Sequence, residues 1–477
     1  MTEPYDITVI GGGVGGYVAA IRAAQLGARV ALVERERIGG TCLNRGCIPT
    51  KSMLYDAHLV SQVTSGDFCL EAEGGWRVNY AKLLARKRRV VDGLVGGIER
   101  LLRSQRIEVL AGTGRIVRPG LVVVTGPGSD GAPATQEIAC RAIIIASGSV
   151  PAPVAIPGTD LPGVLTSDEI LEIETLPERL VIIGASVVGV EFACLFNALG
   201  VRVTMLERQV MLRECEQQLV KRLRALLTRQ GIAINLSVEP EVIECPPAGA
   251  LCVPYTDGDQ HERARGDLVL QATGRWPYTA GLGLQELGVA MDGRAIKVDE
   301  HLQTSVPGIY AIGDCIGGHM LAHVASYEGE VAAENVMGRP RRMDYTVVPN
   351  CVYCFPELAD VGLTEAEAKE TGQPYVVSRF PFNVSGRALS LGEAEGQVRI
   401  ICADDGAGRG GRVLGVHILG PSAGELIGEA SLAMHMGATA ADIAETIHAH
   451  PTLGEALREA ALGQRDGAIH FQQRGER

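Results

Sequence analysis

Cys42 and Cys47 stand five residues apart in the run Gly39-Gly40-Thr41-Cys42-Leu43-Asn44-Arg45-Gly46-Cys47-Ile48-Pro49-Thr50-Lys51. Two thiols so close in sequence could exchange a disulfide with a substrate. On an undistorted α-helix, residues i and i+5 lie roughly 7.5 Å apart along the axis and on different faces. A disulfide needs its Cα atoms about 4.4–6.8 Å apart, so a bridge here calls for an irregular turn. Gly46 permits one, and Pro49 encourages it by disfavouring an α conformation at Ile48. Two unpaired thiols at a helix entrance fit the same spacing, and the surrounding motifs have to decide. Near the other end, His448-Ala449-His450-Pro451-Thr452-Leu453-Gly454-Glu455 sets a carboxylate five residues after a histidine that proline holds extended. Glu455 could bond the His450 ring and fix its tautomer; a surface histidine at a helix entry is the alternative. Cys351-Val352-Tyr353-Cys354 lacks a companion pair at metal spacing and reads as a strand whose two thiols face opposite sides. We therefore expect no metal site.

The elements that would position these groups follow a repeated plan. Tyr5 to Ile10 reads as a buried strand, Gly11-Gly12-Gly13-Val14-Gly15-Gly16 opens a helical run from Tyr17 to Leu26, and Arg29 to Glu34 is a second strand ending in an acid. This is a complete dinucleotide-binding unit. Gly11 makes the tight turn, Gly13 lets a pyrophosphate reach the helix N-terminus, Gly16 lets helix meet strand, and Glu34 can accept ribose hydroxyls. A second unit runs from strand Leu180 to Ile183 through Gly184-Ala185-Ser186-Val187-Val188-Gly189 and the helix Val190 to Leu199 to a strand closing on Glu207. Ser186 replaces the middle glycine there, leaving slightly less room for a pyrophosphate. The Glu207 carboxylate suits a 2′-hydroxyl and repels a 2′-phosphate, which favours NAD over NADP, with Arg208 directly after it. Two buried strands end alike, in Ile145-Ala146-Ser147-Gly148 and in Gln271-Ala272-Thr273-Gly274. Downstream, Gly308-Ile309-Tyr310-Ala311-Ile312-Gly313-Asp314 is a strand ending in Gly-Asp before a helix start at Met320-Leu321-Ala322-His323, placing Asp314 where ligands bind in α/β sheets.

The 477 residues allow about three domains. With 44 basic against 56 acidic residues the net charge is −12, which argues against nucleic acid as a main partner. The basic run Arg86-Lys87-Arg88-Arg89 reads as a solvated helix face. No apolar run is long enough for a membrane span, and the start from Met1 to Asp6 has no secretory pattern, so we expect a cytoplasmic protein. Cys69, Cys140, Cys194, Cys215, Cys245, Cys252, Cys315 and Cys402 read as small buried apolar residues.

Taken together, the cysteine motif, Ala272-Thr273-Gly274-Arg275, Ala311-Ile312-Gly313-Asp314 and His448 to Glu455 resemble the class I pyridine nucleotide-disulfide oxidoreductases, glutathione-reductase-like proteins, and most of all their dihydrolipoamide dehydrogenase branch. The resemblance spans essentially the whole chain. It implies an α/β fold with two Rossmann-like nucleotide-binding domains and a C-terminal α+β dimerisation domain. Residues 1–150 would bind FAD and 151–272 NAD, 273–345 would return to the FAD domain, and 346–477 would form a homodimer interface. In the first unit Asp314 would lie on the ribityl chain, Ala322 and Gly114 near the flavin nucleotide, and Lys51 near flavin N5, paired with Glu191. In the second, Gly184, Gly189, Glu207 and Gly274 would hold NAD. His450 and Glu455 would reach the cysteines of the other subunit. The implied substrate is a lipoylated carrier protein or free dihydrolipoamide, with Cys42 attacked first and Cys47 facing the flavin. A disulfide reductase with another acceptor and a non-catalytic flavoprotein subunit are the alternatives. The tail from Phe471 to Arg477 lacks the cysteine pair of the similar mercuric reductases.

Overall fold

The computed structural model describes residues 3–67, 69–128, 132–246, 249–404, 406, 410–465 and 467–472; the last five residues of the tail and the first two of the chain lie outside it. Strand β1 (Tyr5–Ile10) pairs in parallel with β2 (Val30–Glu34), Ile7 against Val30, and on its other side with β6 (Pro133–Ile145). Between β1 and β2 runs helix α1 (Val14–Gln25). β3 (Glu108–Ala111) extends the far edge beside β2. The 13-residue β6 is long enough to serve twice. Its C-terminal end joins the parallel core, and its N-terminal end pairs antiparallel with β5 (Leu121–Pro127), which in turn carries β4 (Thr113–Arg118). Strand Ile309–Ala311 comes back from far along the chain to pair with β6.

Ile7, Val9, Leu32 and Ile144 are fully buried and packed by Ala19, Ala20 and Ala23 of α1 and by Val331 and Ala332 of helix Ala322–Val336. Small residues bring those two helices into contact, since a β-carbon on Gly329 would lie 2.5 Å from the Gly15 carbonyl oxygen. The close pairing puts the helix that begins at Ala322 beside the glycine loop.

A second, all-parallel sheet contains Ala233–Leu236, Arg202–Glu207, Arg179–Ile183, Leu268–Gln271 and Val164–Thr166 in that order. Ser149–Pro151 and Arg275–Pro277 pair antiparallel in a two-stranded ribbon. The C-terminal unit is a five-stranded antiparallel sheet with helices, including Ala423–His435 and Glu455–Leu462. Buried His417 of this sheet sits 2.6 Å from Asp360, which also accepts the Glu216 amide, so the second and third units are tied by hydrogen bonds. No helix among the described residues is long and apolar enough to cross a membrane.

Three expectations need correction. Lys87 of the basic run is buried, pointing inward from α4 (Tyr80–Ser104) to the Leu171 carbonyl and the Glu172 carboxylate. A partner 85 residues away in sequence cannot be read from helical spacing. Cys69 and Cys245 are exposed rather than buried. The strand at the Cys-x-x-Cys covers only Asn350–Val352, so Cys354 lies beyond it, buried against Cys194.

Candidate redox and dinucleotide site

The helix carrying the cysteines is two helices. α2 (Gly40–Arg45) ends at Gly46, whose φ of −141° and ψ of −114° leave the helical basin, and α3 (Cys47–Thr64) begins at the next residue. The break lies at Gly46 alone. Ile48 is helical, against the expectation from Pro49, because a proline in the first turn loses no hydrogen bond there. Asn44 fastens α2 by donating to the carbonyls of Ile38 (3.1 Å) and Gly40 (3.0 Å). Both thiols are free and half-buried, with Cys42 in the apolar neighbourhood of Leu43, Val91 and Val95.

The break sets the two thiols close enough to influence each other's ionisation. Cys42 donates to Cys47, and that bond, helped by the Lys51 ammonium and opposed by burial, brings the Cys47 thiol down to about 7. The same bond and burial push Cys42 well up. At neutral pH the pair therefore holds one proton on Cys42 and a substantial thiolate fraction on Cys47.

Lys51 lies one turn further along α3. Its Nζ is 2.8 Å from both carboxylate oxygens of Glu191, on helix α5 (Val187–Ala198) of the second unit. Glu191 is buried and also accepts the Tyr353 amide at 3.1 Å, while the ammonium lies 4.8 Å from the Tyr353 ring centroid. One ion pair thus joins all three units beside the cysteines.

In the first unit Gly11 takes φ +106°, and a β-carbon there would lie 2.2 Å from the Ala146 carbonyl oxygen. Gly16 packs as closely, 1.8 Å from the Gly11 carbonyl oxygen to a β-carbon. Gly13 differs, with an ordinary extended φ of −67° and only the Gly40 Cα, at 3.9 Å, near a β-carbon. Neither backbone nor packing asks for glycine at 13, so the space in front of it suits a ligand. Glu34 accepts the Gly12 amide at 2.7 Å, which orients its carboxylate across the loop. Asp314 follows the returning strand in the 3-10 turn Gly313–Ile316 and accepts from Ser149 Oγ, which Arg275 Nε bonds at 2.7 Å. Gly114 on β4 is buried under Ile10 and Val33.

The second unit repeats this geometry. Gly184 takes φ +110° with Ala272 in the place of Ala146, and a β-carbon on Gly189 would lie 2.2 Å from the Gly184 carbonyl oxygen. Glu207 accepts the Ala185 amide at 2.8 Å, as Glu34 accepts that of Gly12. Ser186 has the backbone of Gly13, φ −72° and ψ 178°, and turns its hydroxyl back to the Ala272 carbonyl at 3.0 Å. Gly274, at φ +114°, has open space around its Cα.

His450 Nδ1 lies 2.9 Å from Glu455 Oε1, and Glu455 is held in turn by the Thr452 amide at 2.8 Å. A carboxylate at Nδ1 keeps that nitrogen protonated and leaves Nε2 free to accept a proton. Within its own chain His450 is 79% exposed and makes no hydrogen bond to Cys42 or Cys47.

Residues 5–329 match the pyridine nucleotide-disulphide oxidoreductase family profile, and 348–461 match the dimerisation domain of the same family. The chain belongs to the pyridine nucleotide-disulphide oxidoreductases. It is 39% identical to a dihydrolipoyl dehydrogenase of Bacillus subtilis (strain 168), covering 99% of this chain and all of that one. It is 40% identical to the mitochondrial dihydrolipoyl dehydrogenase of Bos taurus, covering 98% and 92%. A solved Cu(II) complex of the HOCl-induced flavoprotein disulfide reductase RclA from Escherichia coli superposes with TM-score 0.85 at 28% identity, over 97% of this chain and 99% of that one.

The sequence reading of this oxidoreductase missed a buried support beneath the Gly-Asp turn. Glu328 accepts the Gly313 amide at 2.6 Å and the Tyr345 hydroxyl at 2.7 Å, and burial raises its carboxyl above the usual range. Glu328 looks like any glutamate of an amphipathic helix, so only the tertiary contact reveals it. Arg275 was visible as the last residue of a motif. Its reach to Ser149, and toward Asp168 at 3.8 Å, was not.

Proposed function

We propose that this protein is an NAD-dependent dihydrolipoamide dehydrogenase, working as a cytoplasmic homodimer on dihydrolipoyl groups of a carrier protein or on free dihydrolipoamide. The observation that carries the reading is the thiol pair across Gly46, with Cys47 brought down to about 7 by Cys42 and Lys51. The full-length likeness to dihydrolipoyl dehydrogenases supplies the substrate class.

Residues 1–150 with 273–345 would hold FAD, through the α1 N-terminus, the clear space at Gly13, Glu34, Asp314, and backbone near Gly114 and Ala322. Residues 151–272 would hold NAD at Gly184, Gly189, Glu207 and Gly274. The donor sets fit: each unit offers free space or a turned-away side chain at the helix N-terminus and a carboxylate across the loop. When bound, FAD supplies the two-electron transfer to NAD⁺ that side chains cannot.

The chain's own residues do the thiol chemistry. His450, held by Glu455, takes a proton from one substrate thiol, because the thiolate is the attacking species. That thiolate attacks Cys42 of the oxidised pair, forming a mixed disulfide and releasing Cys47 as thiolate. The second substrate thiol then attacks its own mixed-disulfide sulfur, closing the lipoyl ring and freeing Cys42. One dithiol and one disulfide have exchanged places. Lys51 stabilises the Cys47 charge, and buried Glu191 holds Lys51. An exposed His450 asks for a second copy to bring it to a cysteine pair. Leu432 (64% exposed), Met436 (73%) and Ile447 (95%) nearby in the C-terminal unit support residues 346–477 as the pairing surface.

The likeness to RclA supports a second reading, a disulfide reductase with another acceptor. Steady-state assay of the FAD-loaded protein with free dihydrolipoamide and NAD⁺ decides between them. Turnover is expected, and His450→Gln should reduce it by roughly 10²–10⁴-fold. Near-normal turnover of His450→Gln removes the proposed base. No turnover by the unaltered protein removes the lipoyl reading.

A further inference from the structure

Arg208 directly follows Glu207, the carboxylate at the ribose end of the second unit. An arginine in that position would ordinarily blur the choice against a 2′-phosphate, because a guanidinium pairs well with phosphate oxygens. The structure engages it elsewhere. Arg208 Nη2 lies 2.7 Å from Glu239 Oε1.

Backbone, more than side-chain chance, sets that contact. Strand Arg202–Glu207 pairs with Ala233–Leu236 up to Glu207 against Leu236. The ladder then continues around a reversal: Ser237, at φ +58°, donates its amide to the Gln209 carbonyl at 3.2 Å, and Val238 donates to the Glu207 carbonyl at 3.0 Å. Glu239 is next, opening the short strand Glu239–Pro240, where it pairs with Thr256. Its side chain is therefore delivered beside Arg208. Glu207 itself is fixed, its two oxygens accepting the Ala185 and Gln209 amides at 2.8 Å each. Of the other charges close by, Arg213 bonds the Gln209 side chain and Glu241 is engaged by Thr256 and His261.

We propose that Glu239 is a specificity residue that holds Arg208 away from the adenosine ribose, so that the carboxylate of Glu207 alone faces the 2′ position and the site excludes a 2′-phosphate. The proposal rests on the reading of the second unit as the NAD site. Both partners are about half exposed, 45% for Arg208 and 60% for Glu239. An exposed pair of this kind is weak, so releasing it gives a measurable and limited gain.

The test uses the FAD-loaded protein and calorimetric titration with adenosine 2′,5′-bisphosphate, with 5′-AMP and NAD⁺ as references that lack the 2′-phosphate. In Glu239→Gln, affinity for the bisphosphate should rise at least about threefold, the scale of a weak exposed ion pair, while 5′-AMP and NAD⁺ stay within about twofold. Adding Arg208→Gln to that variant should return the bisphosphate to its starting affinity. An unchanged bisphosphate affinity in Glu239→Gln overturns the proposal. So does a gain that survives the loss of Arg208, or one shared equally by 5′-AMP. If the unaltered protein binds neither 5′-AMP nor NAD⁺, the assignment of the second unit as the NAD site falls, and this proposal with it.

Discussion

The two dinucleotide units share a backbone solution and differ in what is built on it. Gly11 and Gly184 turn at nearly the same φ, Gly16 and Gly189 close on the same carbonyl, and Glu34 and Glu207 hold the same amide of the loop. The residues at the middle position, Gly13 and Ser186, even have the same extended dihedrals. In the first unit, however, the segment leading to the redox helix lies across the loop. Gly39 donates its amide to the Gly12 carbonyl at 2.8 Å and bridges Gly13, and a β-carbon on Gly40 would come within 2.6 Å of the Gly13 Cα. The glycine loop of the first unit is thus also the floor under Cys42. The second loop is crossed in a similar way, Leu212 donating its amide to the Ala185 carbonyl at 2.9 Å, but that segment leads to no pair of thiols, and Ser186 turns its hydroxyl to Ala272. A motif's tolerance is set by its neighbours as much as by its ligand.

The largest effects should come from the position where the units are alike. Gly16→Val and Gly189→Val each force a side chain against a carbonyl oxygen that a β-carbon alone already overlaps, at 1.8 and 2.2 Å. If the units are separable in function, Gly16→Val yields protein without bound flavin, whereas Gly189→Val stays yellow and exchanges thiols but loses NAD⁺ reduction. Flavin absorbance and a dithiol-exchange assay on the two variants check this. Loss of flavin from Gly189→Val would show that the units are not separable.

The link between the units gives the next effect. Lys51 on α3 and Glu191 on α5 form the ion pair that spans them, and Lys51 helps hold Cys47 down to about 7. A thiol pKa lowered from its ordinary value means thiolate above pH 7 and thiol below it. Lys51→Met removes the cation, so the Cys47 midpoint moves upward and thiolate is lost at pH 7, slowing exchange there by about tenfold while sparing it at high pH. Lys51→Arg, which keeps the charge, should retain the profile. A pH–rate profile with an unmoved midpoint in Lys51→Met would sink the assignment.

Much of this comparison was legible in the sequence, for a physical reason. Both strand–glycine–helix–strand–acid units depend on local constraints, such as a positive φ at Gly11 or a close carbonyl at Gly16, that restrict residue type at fixed spacing. His450 and Glu455, and the redox cysteines, are likewise near neighbours along the chain. What could not be read depends on partners far apart in sequence. Lys87 looks like one of four exposed cations until Leu171 and Glu172 are seen against it. Glu328 supports Gly313, and Gly40 lies over Gly13, only because the fold brings them there. The residue-before-proline preference points to Pro49 as a contributor to the helix break, yet Ile48 is helical in the first turn of α3 and Gly46 carries the break. Composition rules also fail at exposed positions, where Cys69 and Cys245 obey no packing constraint.

The smallest effects, and the sharpest test of the comparison, come from exchanging the middle residues. Ser186→Gly removes a hydroxyl already turned away toward Ala272, so the KM for NADH should stay within about twofold, the loss of one hydrogen bond being offset by freer approach of the pyrophosphate. Gly13→Ser introduces the same side chain on the same backbone, where Ala146 offers the equivalent carbonyl. Were ligand approach the only constraint, the serine could turn away as Ser186 does, and flavin retention would be nearly unchanged. Gly40 makes the difference. Its Cα, 3.9 Å from where the new β-carbon would sit, is in ordinary contact and belongs to the redox segment, so the serine fits but its hydroxyl shares the ligand's space beside the segment that carries Cys42. Gly13→Ser should therefore weaken flavin retention and slow thiol exchange at Cys42 together, each by no more than about threefold, since the contact is not an overpacked one. If flavin binding alone falls while exchange is untouched, the loop and the redox helix are independent, and the first unit differs from the second only in its ligand.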